Sequence, residues 1–256
     1  MDVEPQNSKI FKKICRLAGQ AVADYKMIAA GDRLVVGLSG GKDSMTLMHV
    51  LTHLQRHAPV DFEIIAVTFD PGFPGFCPSA IQDYALEQGW VHHTVSVGME
   101  ELLKEKGAER RPCVLCSRIR RGKLYGKAGE LGCRIIALGH NLDDVCVSMF
   151  ISLTRGLGIK TMAPNVKADE LDLRVVRPLT YVPEAMIVEC ARTFGFPECG
   201  KCVYQNQLEK SGDRAYFVKM LDQLEQRIPH IRQNMLYSMS SVRPGYMLDP
   251  EFLNLD

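Results

Sequence analysis

Arg33-Leu34-Val35-Val36-Gly37-Leu38 runs directly into Ser39-Gly40-Gly41-Lys42-Asp43-Ser44. The apolar run reads as a buried strand, and the residues from Ser44 to His57 read as the helix that follows it. A glycine turn between a strand and a helix suits phosphate: glycines let backbone N–H groups approach oxygens, and a helix N-terminus favours negative charge. The spacing is not that of a Walker A loop, which needs four residues between its glycines and then Lys-Ser/Thr. Here three residues separate Gly37 from Gly41, and Asp43 follows Lys42. Cleavage of a γ-phosphate is therefore not the natural inference. The plain alternative is a glycine-rich turn that caps a helix.

Outward from this stretch, short apolar strands alternate with longer helices. Strands are predicted at Phe62–Phe69, Val91–Val97 and Arg134–Leu138, with helices at Ser79–Gln88, Cys113–Leu131 and Leu142–Leu153. A Pro/Gly-rich turn runs to Pro78, and a charged segment precedes Cys113. Upstream, Ser8–Ala30 reads as an amphipathic helix with Ile10, Ile14, Leu17 and Ala21 on one side, stopped by Gly31-Asp32. From Pro183 onward the chain reads as mostly helical, with Val218, Leu221, Leu224 and Ile228 at helix spacing. The alternation predicts an α/β fold, a doubly wound parallel sheet covered on both faces, with helical additions at both ends. The expected division is an N-terminal helix over 1–31, a nucleotide-binding α/β domain over 32–182 and a helical extension over 183–256.

The 256 residues are 46% hydrophobic and 24% charged, with a net charge of +1. This composition excludes a disordered or fibrous chain and a uniformly basic nucleic-acid coat, but not a local basic patch. No uncharged apolar run approaches the length of a membrane span. The opening Met1-Asp2-Val3-Glu4-Pro5-Gln6-Asn7 is polar and acidic, unlike a signal peptide, so a cytoplasmic address is expected. Nine cysteines in such a chain point to metal or redox thiols, or to burial. Cys15, Cys77, Cys133, Cys146 and Cys190 stand singly, and are expected to serve as small hydrophobes.

Ser39-Gly40-Gly41-Lys42-Asp43-Ser44 resembles the PP-loop of the ATP pyrophosphatase superfamily, whose adenine nucleotide α-hydrolase-like enzymes split ATP between its α and β phosphates. The resemblance implies that the loop backbone, with Ser39 and Ser44, holds pyrophosphate, and that Asp43 is the catalytic residue, binding Mg²⁺ or orienting the attacking group. Strand four ends in Gly139-His140-Asn141-Leu142-Asp143-Asp144, similar to the superfamily's Gly-His-x-x-Asp-Asp segment. The acidic pair also suits helix N-terminal capping. The expected ATP contacts are Leu38, Ser39, Gly40, Gly41, Lys42, Asp43, Ser44, Phe69, Gly139, His140, Asp143 and Asp144. The switch-point rule puts base and ribose at the end of strand two, near Phe69.

Two Cys-x-x-Cys pairs remain, Cys113/Cys116 at a helix start and Cys199/Cys202 in a later loop. Thiols at i and i+3 share a direction on a helix, which suits a four-cysteine zinc site, redox dithiol chemistry or an iron–sulfur cluster. Between Arg110 and Lys127 stand Arg110, Arg111, Arg118, Arg120, Arg121, Lys123 and Lys127, with no acidic residue among them. A solvated helix face explains many charge runs, but phosphate backbones are the better partner for this one. In order, Pro112-Cys-x-x-Cys-Ser-Arg-Ile-Arg-Arg-Gly, Leu138-Gly-His-Asn-Leu-Asp-Asp, Val176-Arg-Pro-Leu and Cys199-Gly-Lys-Cys resemble the tRNA 2-thiocytidine synthetase family over approximately Arg33–Gln207. That resemblance implies ATP-dependent thiolation of a cytidine in the tRNA anticodon loop, expected at position 32. It further implies a [4Fe–4S] cluster on Cys113, Cys116 and Cys199, with Cys202 as the rival third ligand. Its partners would be tRNA, ATP and a sulfur donor, either a cysteine desulfurase or sulfide, in a chain that can form a homodimer. Val203-Tyr204-Gln205 departs from the family's Gly-Ser-Gln after the late pair. The competing functions are a PP-loop ligase or thiolase for a small molecule or another tRNA base, and a non-enzymatic ATP-binding metal or redox sensor.

Overall fold

The computed structural model describes residues 4–107, 112–168, 172–200 and 212–252. Six strands form one sheet: β1 (Arg33–Gly37), β2 (Glu63–Asp70), β3 (His92–Ser96), β4 (Ile135–Ala137), β5 (Asn165–Lys167) and β6 (Arg174–Val176). Their spatial order is β3-β2-β1-β4-β6-β5, all parallel except β5, which runs antiparallel to β6. The α/β class and parallel sheet expected from the sequence are what the chain forms. The short pair β5 and β6 was not anticipated.

The central strands β1, β2 and β4 are buried on both sides, so each reads as a continuous apolar run whose alternate residues serve different layers. Leu34 and Val36 of β1, with Ile64 and Ala66 of β2 and Ile135 and Ala137 of β4, pack toward one layer of helices. That layer holds α1 (Lys9–Asp24), α2 (Lys42–His57) and α7 (Glu184–Phe194). Val35, Ile65, Val67 and Ile136 face the other side, where Ala128, Leu124 and Tyr125 of α5 (Pro112–Glu130) cover them. The helices α3 (Pro78–Glu87) and α4 (Met99–Glu105) flank β3, and α4 occupies the segment read as merely charged. Beyond β4, α6 (Leu142–Thr154) carries the C-terminal pair α8 (Asp213–Arg227) and α9 (Ile231–Ser240). They share an apolar cluster of Leu142, Cys146, Val147, Phe217 and Leu221.

The N-terminal helix is shorter than its pattern suggests. Ser8 caps it by accepting from the Phe11 N–H at 3.3 Å. It stops at Asp24, and Lys26 then takes a left-handed φ of 48°. Its buried face is Phe11, Ile14, Cys15, Ala18 and Ala21, inserted into the same core as α2 and β1. Among the described residues, no helix is long and apolar enough to cross a membrane.

Candidate active site

Strand order reverses at β1, with β2 on one side and β4 on the other, so the crevice at the carboxyl ends of β1 and β4 is the switch point. Both glycine motifs open there. Helix α2 begins at Lys42, two residues before the sequence reading, with Gly41 as an N-cap that offers no side-chain acceptor. The first N–H groups of α2 thus gain no side-chain cap from that position, the condition that suits an anion. Around them the loop is tied to itself: Ser39 N–H donates to Ser44 Oγ at 3.1 Å, Ser44 Oγ donates to Gly41 O at 3.0 Å, and the two hydroxyls lie 3.0 Å apart. Gly40 adopts φ +76°, and a Cβ there would lie 2.6 Å from Cys199 Sγ. Leu38 is buried beneath the loop.

The second motif closes on the first. Asn141 caps α6: its Oδ1 accepts from the N–H groups of Asp143 (3.0 Å) and Asp144 (3.2 Å), while Asp144 Oδ2 accepts from the Asn141 N–H at 3.0 Å. The remaining end of that side chain, Nδ2, donates to Asp43 Oδ1 at 2.9 Å. Lys42 Nζ sits between Asp43 Oδ2 (3.0 Å) and Glu184 Oε1 (2.7 Å). Burial works against the Lys42 charge, but Asp43 and Glu184 outweigh it and raise its pKa above the ordinary lysine value. Asp143 Oδ2 accepts from the Glu184 N–H at 2.7 Å, and its Oδ1 accepts from Arg232 Nε at 2.6 Å. Arg232 also donates to Asp222 at 2.6 Å and Glu225 at 3.1 Å, and Arg214 pairs with Asp144. His140, half-buried, accepts at Nδ1 from Arg177 Nε at 3.3 Å. Burial holds the imidazole below its ordinary pKa, leaving it neutral with its proton on Nε2.

The structure therefore gathers Ser39–Ser44, Gly139, His140, Asp143 and Asp144 into one site. Phe69, at the carboxyl end of β2, is half-buried against the apolar cluster of Phe73, Val97, Met99 and Leu103. Cys113 and Cys116 lie half-buried on the first turn of α5, and Cys199 is buried on the loop against Gly40. Among the described residues no three His, Cys, Asp or Glu groups gather closely enough to hold a metal ion, so the three thiols are not drawn together here. In donor chemistry they fit an iron–sulfur cluster: thiols alone, two of them sharing one helix turn. Burial, then neighbouring Cys77, raises the Cys199 thiol pKa, and Pro197 O accepts from its Sγ at 3.4 Å. Cys202, Arg110 and Arg111 lie outside the described residues.

Arg118, Arg120, Arg121 and Lys123 are exposed along α5, while Lys127 is half-buried and paired with Glu130 at 2.9 Å. Cys15, Cys133, Cys146 and Cys190 are buried as expected, but Cys77 is exposed. The Ser79 hydroxyl lies 3.1 Å from its Sγ and, with the Ala80 N–H, lowers its pKa. The sequence reading passed over Asn141, Glu184, Arg214 and Arg232. Only Asn141 carried a local signal, as an N-cap type preceding an acidic pair.

A family model described as a PP-loop domain matches residues 9–197. The tRNA-cytidine(32) 2-sulfurtransferase of Geobacter sulfurreducens is 40% identical over 250 residues, covering 96% of this chain and 95% of its own. That of Deinococcus radiodurans is 40% identical over 253 residues, covering 97% and 83%. Among solved structures, the U34-tRNA thiolase NcsA from Methanococcus maripaludis with its [4Fe-4S] cluster aligns with a TM-score of 0.72 at 21% identity, over 92% of this chain and 80% of that one, a likeness of fold. The match to the family model and the full-length relatives agree with the site geometry: the chain belongs to the PP-loop family and, within it, to the tRNA-cytidine(32) 2-sulfurtransferases.

Proposed function

We propose that this chain is an ATP-dependent tRNA sulfurtransferase that adenylates the 2-oxygen of cytidine 32 in the anticodon loop and exchanges that oxygen for sulfur. The observation that carries the reading is the closure of Gly139 and Asn141 over Asp43, which makes one site of two distant motifs. ATP lies with its phosphates at the N-terminus of α2, near Ser39, Ser44 and Lys42, and its base and ribose toward Leu38 and Phe69. The cytidine 2-oxygen attacks the α-phosphorus, the bond to the β-phosphate breaks, and pyrophosphate stays on the loop. Adenylation converts a poor leaving oxygen into a good one, and AMP departs as sulfur bonds to C2. Charge gathers on the departing pyrophosphate, where the helix N-terminus and Lys42 are placed to meet it. Asp43 is the carboxylate that would hold Mg²⁺ beside the phosphates.

Cys113, Cys116 and Cys199 would hold a [4Fe–4S] cluster, which when bound supplies the sulfur for the exchange. Cys202 is the rival for the third position. The basic face of α5 follows the tRNA backbone. The sulfur comes from a cysteine desulfurase or from sulfide, and the reducing cytoplasm keeps the thiols available. A homodimer and a division at residues 31/32 and 182/183 complete the reading.

Purified protein given ATP and unmodified tRNA should release AMP and pyrophosphate; release of ADP would overturn the site assignment. Anaerobically prepared protein should be brown. Cys113→Ala, Cys116→Ala and Cys199→Ala should each lose both colour and thiolation, whereas Cys202→Ala should keep the colour. A colourless protein holding zinc on all four cysteines would remove the cluster from this reading.

A further inference from the structure

The Val176-Arg177-Pro178-Leu179 segment has no part in the chemistry above, yet backbone and side-chain hydrogen bonds fix it at the sheet rim. Val176 pairs with Ala137 in the parallel β4–β6 register, so Arg177 emerges beside Leu138 and His140 at the carboxyl end of the sheet. The Arg177 N–H donates to Pro164 O at 2.8 Å, and its carbonyl accepts from the Thr180 N–H (3.1 Å) and hydroxyl (2.6 Å). Pro178, Leu179 and Thr180 are buried directly behind it. The side chain is held as well, through Nε to His140 Nδ1 at 3.3 Å and through Nη1 to the carbonyl of Ala163.

Those acceptors are all neutral. Among the described residues, no carboxylate lies within ion-pair distance of Arg177, and its Nη2 has no protein acceptor. Arg232, equally well held, contacts three carboxylates. A half-buried guanidinium without an anion is costly to keep charged. Burial pushes the Arg177 pKa below the usual arginine value; Tyr125 opposes it, Arg121 adds to it, and Asp144 opposes it more weakly. His140, which Arg177 touches, also feels Arg214 and Arg120, with Asp144 as the stronger opposing charge. Arg120 and Arg121 of α5 and Arg214 of α8 thus lie close enough to be felt at His140 or Arg177, and the one carboxylate felt at both, Asp144, is already paired with Arg214.

We propose that Arg177, backed by Arg120 and Arg121 of α5 and Arg214 of α8, forms a second anion site beside the ATP loop that takes a backbone phosphodiester of the RNA substrate. The planar guanidinium fork matches a phosphate's paired oxygens. A phosphodiester of a polymer fits better than a further phosphate of ATP. The ATP phosphates already have the N-terminus of α2, and the positive charge continues outward over exposed Arg118 and Lys123, as a chain of repeating phosphates requires. The site would fix the nucleotide next to the reacting base, so that its 2-oxygen meets the α-phosphorus. This inference rests on the tRNA reading.

The test is filter binding of unmodified tRNA to the intact chain between about 50 and 200 mM salt, with ATP affinity measured alongside by calorimetry. Arg177→Gln should weaken tRNA binding about tenfold and leave ATP affinity within about twofold. Arg121→Gln, on an exposed helix face where folding is not at stake, should reduce the steepness of the log–log salt dependence by roughly 0.7–0.9, the share of one phosphate. If wild-type protein binds tRNA and both variants bind it equally well with the same salt dependence, the proposal is overturned. Loss of ATP affinity with unchanged tRNA binding in Arg177→Gln would assign the arginine to the nucleotide and also overturn it. Wild-type protein that does not bind tRNA would overturn the function reading itself, and this proposal with it.

Discussion

A Cβ at Gly139 would stand 2.9 Å from the carbonyl carbon of Asp43, and 3.0 Å from both its oxygen and the Ser44 nitrogen. All three are backbone atoms, which cannot swing aside as a side-chain tip can. Gly139→Ala must therefore push the first turn of α2 away from β4, moving the loop rather than deleting any group that binds. The KM for ATP should rise at least about tenfold, as expected when well-placed polar contacts are lost, while circular dichroism stays native. An unchanged KM would mean that the two motifs do not meet as described. Asp43→Asn makes the complementary change. It keeps an oxygen for the Asn141 amide and removes the charge, so the fold should hold while pyrophosphate release falls about 100-fold or more. Retained release would exclude Asp43 from the chemistry. The glycines and aspartates were legible in the sequence because backbone approach and charge leave a local residue signature. Glu184, Arg214 and Arg232 were not, because their partners lie far along the chain and an isolated arginine or glutamate looks like any surface residue.

At the scale of elements, α2 meets α3 and α7 through one histidine. His49 is 4% exposed, 2.9 Å from Tyr84 Oη, with ring centroids of Phe194 at 4.4 Å and Trp90 at 4.8 Å. Burial lowers its pKa from 6.5 to about 4. The unfolded chain therefore takes up the proton first on acidification. Stability is complete above about pH 6.5 and is lost as pH falls toward 4, by about 2 kcal/mol at pH 5. Urea unfolding at pH 7 and pH 5 should show that His49→Gln, though weaker overall, loses less on acidification than wild type. Equal losses would sink the assignment. Element legibility followed length and burial. The runs at β1 and β2 and the pattern of α6 were plain because each fills a layer over several residues. The three residues of β5 and the three of β6 are too few to show a period. Helix α4 buries only Met99 and Leu103, so its charges hid it. The end of α1 was overrun because apolar residues continue past Lys26, where the left-handed turn is imposed by packing of the following segment.

The whole molecule is joined across the N-terminus of α6. Arg232, its side chain 11% exposed, ties Asp143 of α6 to Asp222 and Glu225 of α8, so the helical extension is bound to the nucleotide crevice by charge as well as by Phe217 and Leu221. Arg232→Met would leave Asp143 buried with only the Glu184 N–H. The cost should be about 3 kcal/mol, seen as a lower melting temperature and as faster hydrogen exchange in α8 and α9 before the sheet. Exchange confined to global unfolding would show that the extension is not held through this residue. The same tie has a reciprocal side. Asp143 touches the backbone of Glu184, Glu184 touches Lys42, and Lys42 lies on the phosphate loop. Free energy depends only on the end states. By whatever factor the docking of α8 and α9 changes nucleotide affinity, nucleotide must change that docking by the same factor. A label on the last helices would then report the occupancy of a loop near the other end of the chain.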